Sequence, residues 1–372
     1  MDKPPVVILS GVRWDFLWQR HHILATLFAR AGYPTVFVET TGLANPRPNL
    51  ATLRKIVSRI RRAGGEKPTK GLTVYAPLAA PPTCRVFRRL NRRVFVPRMV
   101  RDLCKISGPD PIVLAYPPTR TTLEVISGLD PRLVLYDCSD DYERFPGAPR
   151  DIAATESELL EAADLVSCTS THLLEQVRSL RPDAFLNGPA VDYGRFAVLQ
   201  DTRPAREVRT VCFFGRLSRE RTDFCTLRSV AEAGFEVRLL GEPGRVERGF
   251  LKMPGIDYRG KVSHAELPAA LAGVDAFVLP YEVNGLTRGI SPAKIYECLA
   301  TGKPVVAAPL PALEELAGHV YLAKEPQEYV EILRRLEKLE TEEKARARIE
   351  LARKNSWEAR FKEIEESLWR AL

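Results

Sequence analysis

The chain has 372 residues, of which 45% are hydrophobic and 27% charged, with a net charge of +8. That length exceeds one ordinary core and suits two globular domains, while the composition excludes a disordered chain. No apolar run approaches the roughly 20 residues of a membrane-spanning helix, and MDKPPVVILSGV lacks the parts of a signal peptide, so a cytoplasmic location is expected.

From Val6 the chain reads as a strand (VVILSG), a loop, a helix with apolar residues at Ile23, Leu24, Leu27, Phe28 and Ala31, and a second strand (TVFVET). A strongly basic stretch follows between Arg47 and Lys105, opposed only by Glu66 and Asp102. Apolar residues interleave it at helical spacing, first Leu53, Ile56, Val57 and Ile60, then Val86, Leu90 and Val94. Amphipathic helices with cationic faces are expected, suited to anionic lipid headgroups or left as solvated surface. Without aromatic interleaving or a binding signature, nucleic acid is not the expected partner.

Alternation resumes with strands at PIVLAY, RLVLYDC and LVSCTS separated by helices over TTLEVISGL and ESELLEAA. LNGPAVDYGRF breaks the pattern and leads into a polar, proline-containing linker, DTRPAREVR. It then restarts: strands at TVCFFG, FEVRLLG, IDYRGKV, DAFVLPY and PVVAAP, with helices over TLRSVAEAG, ELPAALAG, SPAKIYECLATG and PQEYVEILRRLEKLE. The expected class is α/β, with two Rossmann-like doubly wound domains facing across a cleft, 1–190 and 191–356, and a final helix over 357–372.

Three groups of residues carry candidate chemistry. Ser291 and Pro292 read as the start of a helix on which Lys294 and Glu297 share a face. Backbone N–H groups of Gly289, Ile290 and Ser291 could receive phosphate, and a carboxylate one turn inward could accept from ribose hydroxyls. A solvated i,i+3 pair is the plainer reading of Lys294 and Glu297. Second, GRLSRERTDF follows the strand TVCFFG, so Arg216, Arg219 and Arg221 stand at its C-terminal end as guanidiniums suited to phosphate oxygens. Third, Asp137, Asp140 and Asp141 follow RLVLY, as a general base, acceptor-hydroxyl ligands, or merely turn caps. His21 and His172 lie near strand ends, where a lone histidine is more often structural. No metal-ligand cluster, glycine-rich dinucleotide fingerprint or P-loop occurs.

The combination WQRHHILATLFARAGYPTVFVET, YDCSDD, ADLVSCTSTHL, NGPAVDYGRF, GRLSRER, DAFVLPY and SPAKIYECLATGKPVV resembles the GT-B glycosyltransferases. The resemblance is in particular to the retaining, nucleotide-sugar-dependent, family 4-like enzymes of teichuronic-acid and other surface-polysaccharide synthesis. The resemblance implies that Arg216 and Arg221 grip the donor diphosphate and that Glu297 binds ribose. Gly215, Val262, Gly289, Ile290, Ser291 and Lys294 complete the implied donor site. Gly289 stands where the family has its first motif glutamate, and Glu282, Asn284 or Arg288 could substitute for it. Asp140, Asp141 and His172 are the candidates for further catalytic roles. The resemblance also implies an acceptor-binding first domain, a last helix crossing back to it, a location at the inner face of the cell membrane, and no bound metal or cofactor beyond a UDP- or GDP-linked sugar. The expected function is transfer of a hexose-type sugar to a glycan or lipid-linked acceptor. An epimerase of the same fold and a catalytically degenerate nucleotide-binding scaffold are the alternatives.

Overall fold

The computed structural model describes residues 3–15, 18–39, 66–80, 85–145, 148–202, 207–244, 246, 249–285, 287 and 292–372. The expected helix around Leu53–Ile60 lies outside the described residues. The chain divides into two compact units, Met1–Asn187 with Phe361–Leu372, and Gly188–Arg360.

In chain order the first unit holds β1 (Val6–Leu9), α1 (Arg20–Arg30), β2 (Thr35–Val38), β3 (Glu66–Thr69), β4 (Leu72–Tyr75), α2 (Arg85–Leu90), α3 (Val96–Ser107), β5 (Ile112–Ala115), α4 (Arg120–Leu129), β6 (Leu133–Cys138), α5 (Ile152–Ala162), β7 (Leu165–Cys168), α6 (Thr171–Val177) and β8 (Phe185–Leu186). Its eight strands run β3-β4-β2-β1-β5-β6-β7-β8, parallel except for β3, which pairs antiparallel with β4. The sheet is covered on both faces, which explains its continuous apolar runs. Alternate residues feed separate cores. Val7, Leu9, Val36, Val113 and Tyr136 face one side with Met99, Leu103 and Val125. Val6, Ile8, Phe37, Ile112 and Leu135 face the other with Leu24, Phe28, Phe361, Ile364 and Leu368.

Residues Asn91–Phe95 form a π-helical turn between α2 and α3. Asn91 is fully buried; its amide accepts from the Ala80 N–H (2.9 Å) and donates to Ala80 O (2.7 Å) and Thr121 Oγ1 (3.1 Å). The face turned inward beyond it carries Val96, Met99 and Leu103, whereas Val86, Leu90 and Val94 point outward among the arginines. The helical spacing of those three apolar residues therefore marks an exposed stripe and not a buried one.

The second unit contains α7 (Tyr193–Ala197), β9 (Thr210–Phe214), α8 (Phe224–Glu232), β10 (Glu236–Leu240), β11 (Ile256–Gly260), α9 (Leu267–Ala270), β12 (Ala276–Leu279), α10 (Lys294–Ala300), β13 (Val305–Ala307), α11 (Pro311–Glu314), β14 (Tyr321–Leu322), α12 (Pro326–Leu339) and α13 (Glu342–Lys354). Its parallel sheet runs β11-β10-β9-β12-β13-β14 around a single core. The last helix, α14 (Trp357–Ala371), starts in this unit, and its part from Phe361 packs on the first. There Phe361 meets Phe28 edge-on at 4.9 Å, and Glu365 accepts from Lys3 and Tyr33, each at 2.8 Å.

Strand order reverses between β1 and β5 in the first unit and between β9 and β12 in the second. In open parallel sheets, ligands bind beyond the strand C-termini at such reversals.

Candidate functional site

At the second unit's reversal, β9 ends in Gly215 and β10 in Gly241, both with positive φ (126° and 143°). A Cβ on Gly241 would stand 1.8 Å from Gly215 O, so the two strand ends approach as only glycine permits. A Cβ on Gly215 would in turn stand 2.2 Å from Lys294 Nζ. The lysine reaches this point because it opens α10. Its ammonium donates to Phe214 O (2.6 Å) and lies 4.5 Å from the Phe213 ring centroid and 5.6 Å from that of Tyr281. Aromatic faces and a carbonyl hold the cation in place without neutralising it, and it pairs with no carboxylate among the described residues.

Glu297, one turn further along α10, is half-buried and lies 3.1 Å from His264 Nε2. His264 in turn meets the buried Phe196 ring edge-on at 5.8 Å. The sequence offered no signal for this contact, because His264 and Glu297 come from different loop and helix segments. The helix starts later than expected: its cap is Ala293 and its first residue Lys294, while Gly289, Ile290 and Ser291 lie outside the described residues.

The arginine loop is fixed by backbone. Leu217, fully buried, donates to Glu242 O (3.1 Å) and accepts from Gly244 (2.6 Å), and the N–H groups of Asp223 and Glu282 bond to Pro280 O (2.8 Å) and Arg221 O (3.0 Å). The loop is thus stitched to the ends of β10 and β12. Arg216, Arg219 and Arg221 are exposed and make no ion pair among the described residues. Asp223 caps α8 by accepting from Cys225 (2.8 Å) and Thr226 (3.2 Å). Asn284, a candidate for the missing glutamate's role, has its amide tied into the loop, donating to Glu220 O and accepting from Thr287 N, both at 3.1 Å. Glu282 is half-buried, and burial together with nearby Asp223 raises its carboxyl above the usual range. Val262 is half-buried just past β11.

In the first unit the acidic cluster separates by role. Asp137 is fully buried and paired with Arg20 (2.7 Å), which also donates to Asn187 (2.6 Å); Ser167 donates to Asp137 at 2.8 Å. Burial alone would raise this carboxyl; Arg20 and the surrounding donors overcome that and hold it below the usual range. Asp137 is a structural ion-pair partner and not an available base. Asp141 caps the turn Tyr142–Arg144 and pairs with Arg144 (3.2 Å), while Asp140 is exposed beside Ser139. His172 is half-buried on the first turn of α6. His21 is buried with Nδ1 accepting from the Gly11 N–H (3.4 Å) and its ring stacked on Tyr116 at 3.6 Å. Burial pushes it down to about 3, against a smaller opposing effect of Asp137, so it is neutral.

Residues 221–366, which include α10 and Arg221 but not Arg216 or Arg219, match the family described as glycosyl transferase-like. TuaH of Bacillus subtilis strain 168, named as a teichuronic acid biosynthesis glycosyltransferase, is 24% identical over 62% of this chain. The match spans 65% of that relative, just under two thirds of its length. Sucrose-phosphate synthase of Thermosynechococcus elongatus superposes with a TM-score of 0.66 at 17% identity, covering 99% of this chain and 98% of that one. Anabaena HepE, solved with UDP and glucose, gives 0.65 at 14% identity, covering 99% and 100%. The chain accordingly has the GT-B fold, and its residues 221–366 are similar to the glycosyl transferase-like family.

Proposed function

We propose that this protein is a glycosyltransferase that moves a hexose from a UDP- or GDP-linked donor to a glycan or lipid-linked acceptor in bacterial surface-polysaccharide synthesis. The observation that carries the reading is the Lys294–Glu297 pair on α10, with an uncompensated ammonium against the glycine-lined ends of β9 and β10 and a carboxylate one turn away. The ammonium suits diphosphate and the carboxylate suits ribose hydroxyls. HepE binding UDP and the TuaH likeness support the donor class and the pathway type.

In the reaction the bond between the anomeric carbon and the phosphate oxygen breaks and its electron pair leaves with the diphosphate. The acceptor oxygen bonds to that carbon, and its proton passes to an oxygen of the departing diphosphate. Arg216, Arg221 and Lys294 stabilise the charge growing on the leaving group, which is where preorganised cations lower a barrier most. Retention of the anomeric configuration is part of the proposal, read from the family likeness. Calorimetry with UDP and GDP tests the site: one of them binds the wild type, and Glu297→Ala weakens that binding at least about ten-fold, as expected when two charge-assisted hydrogen bonds are lost. Equal affinity in wild type and variant would remove Glu297 from the donor site. Release of an epimer from donor incubated alone would favour the epimerase.

The proposal extends to the membrane surface. On α2 and the π turn, Val86 is 71% exposed, Val94 51% and Leu90 41%, among exposed Arg85, Arg89, Arg92 and Arg93. Apolar side chains protruding through a cationic field fit an anionic bilayer, and no helix among the described residues is long and apolar enough to cross one. Each basic residue near such a surface contributes about 1 kcal/mol. The variant Arg89→Glu/Arg93→Glu is therefore expected to lose co-sedimentation with phosphatidylglycerol vesicles while keeping its activity on soluble acceptors. Undiminished sedimentation would sink this extension.

A further inference from the structure

The His264 imidazole is the one side-chain partner of Glu297 among the described residues, with Nε2 3.1 Å from Oε1. A carboxylate can only accept, so Nε2 carries the hydrogen and donates it. Each carboxylate oxygen has two acceptor sites, and the bond therefore occupies one of four. The rest of the acceptor capacity of Glu297 stays available to a ligand.

The turn that carries His264, between β11 and α9, is closed on itself. The Ser263 hydroxyl and N–H donate to one Glu266 oxygen (2.6 and 3.3 Å), and the Glu266 N–H donates back to the Ser263 carbonyl (3.0 Å). Glu266 is thus engaged within its own turn, and these bonds hold its carboxyl below the ordinary range. On the other side the His264 ring rests edge-on against Phe196, which is fully buried on α7. The imidazole is supported from behind and bonded in front, although 38% of its side chain is exposed. A contact between partly exposed groups adds little to stability, so folding alone gives it little purpose.

We propose that His264 is a positioning residue for the nucleotide donor, which through Nε2–H pre-sets the Glu297 carboxylate to receive the two ribose hydroxyls; this rests on the donor-site reading of Glu297. A glutamate has three side-chain torsions to freeze before both oxygens can face a vicinal diol, and that ordering opposes binding unless a protein contact has already done it. His264 supplies the contact without filling the sites that the hydroxyls need.

Calorimetry on the full chain tests this with UDP and GDP and with their 2′,3′-dideoxy forms, which lack the hydroxyls. His264→Ala should bind the preferred ribonucleotide roughly three- to ten-fold more weakly, the range for losing one pre-ordered side chain. It should bind the dideoxy form as the wild type does, and its melting temperature should stay near that of the wild type. His264→Gln, which keeps a donor, should recover much of the loss, whereas His264→Phe, which keeps only the ring, should recover none. In a Glu297→Ala background the histidine substitutions should have no effect. An equal loss with the dideoxy nucleotide, or rescue by Phe and not by Gln, would place the ring against the base or the fold and overturn the positioning role. Wild-type affinity in His264→Ala where Glu297→Ala is impaired would overturn it while leaving the donor site standing. Failure of both UDP and GDP to bind the wild type would instead remove the donor site, and this role with it.

Discussion

Arg216→Ala is expected to lower turnover by about 10²–10³-fold, the range seen when one preorganised donor to a developing anion is removed, while the melting temperature stays within a degree or two of wild type. The separation of effects follows from the loop's construction. Its shape depends on backbone bonds at Leu217, Arg221 and Asp223 and on the buried Leu217 side chain, whereas the Arg216 guanidinium is exposed and touches no acidic group among the described residues. Removing it alters charge and leaves packing alone. Arg216→Lys retains the charge but not the planar fork, and should recover only part of the loss. Initial rates with a radiolabelled nucleotide sugar, beside a thermal melt, decide the matter: wild-type turnover in Arg216→Ala would refute the leaving-group role.

The second large effect concerns stability. Asp137→Asn is expected to cost about 3–5 kcal/mol, because it leaves the Arg20 guanidinium buried without its counter-charge. Urea unfolding at neutral pH measures this directly. The pH dependence carries a sign. The Asp137 pKa in the folded state lies below its ordinary value, so its stabilisation is fully present above the ordinary carboxylate range and is lost as pH falls through the folded pKa. The wild type should therefore lose stability on acidification below about pH 4, and the asparagine variant should lack that component. A variant as stable as the wild type at neutral pH would show that Arg20 finds another partner.

The legible parts of this fold were those written in local pattern. β1, β5, β6, β9 and β12 are apolar runs bounded by turn residues, and their alternation with helices was enough to predict two parallel sheets. The β3–β4 hairpin was not legible: EKPT and the turn Lys70-Gly71 fall within the basic stretch, and Pro68 argues against a strand except at a sheet edge, where β3 lies. Of the proposed donor site, Lys294, Glu297 and the arginines were visible because each follows a strand or opens a helix. Long-range pairings were invisible. Arg20 and Asp137 are 117 residues apart, and His264 acquires meaning only when it is laid beside Glu297. The apolar spacing in α2 left its orientation open, since periodicity shows that residues share a face without telling which way that face turns.

That orientation is decided at the π turn. One residue more or fewer in an α-helix advances the azimuth by about 100°. With Asn91 pinned, the angular phase of α3 relative to α2 is set by how many residues the turn contains. Deleting the half-buried Phe95 alone would leave every exposed arginine in place, yet it would swivel the arginine-bearing stripe of α2 relative to α3. The character of that surface is thus encoded partly as a count, a property that no substitution scan of the stripe would detect.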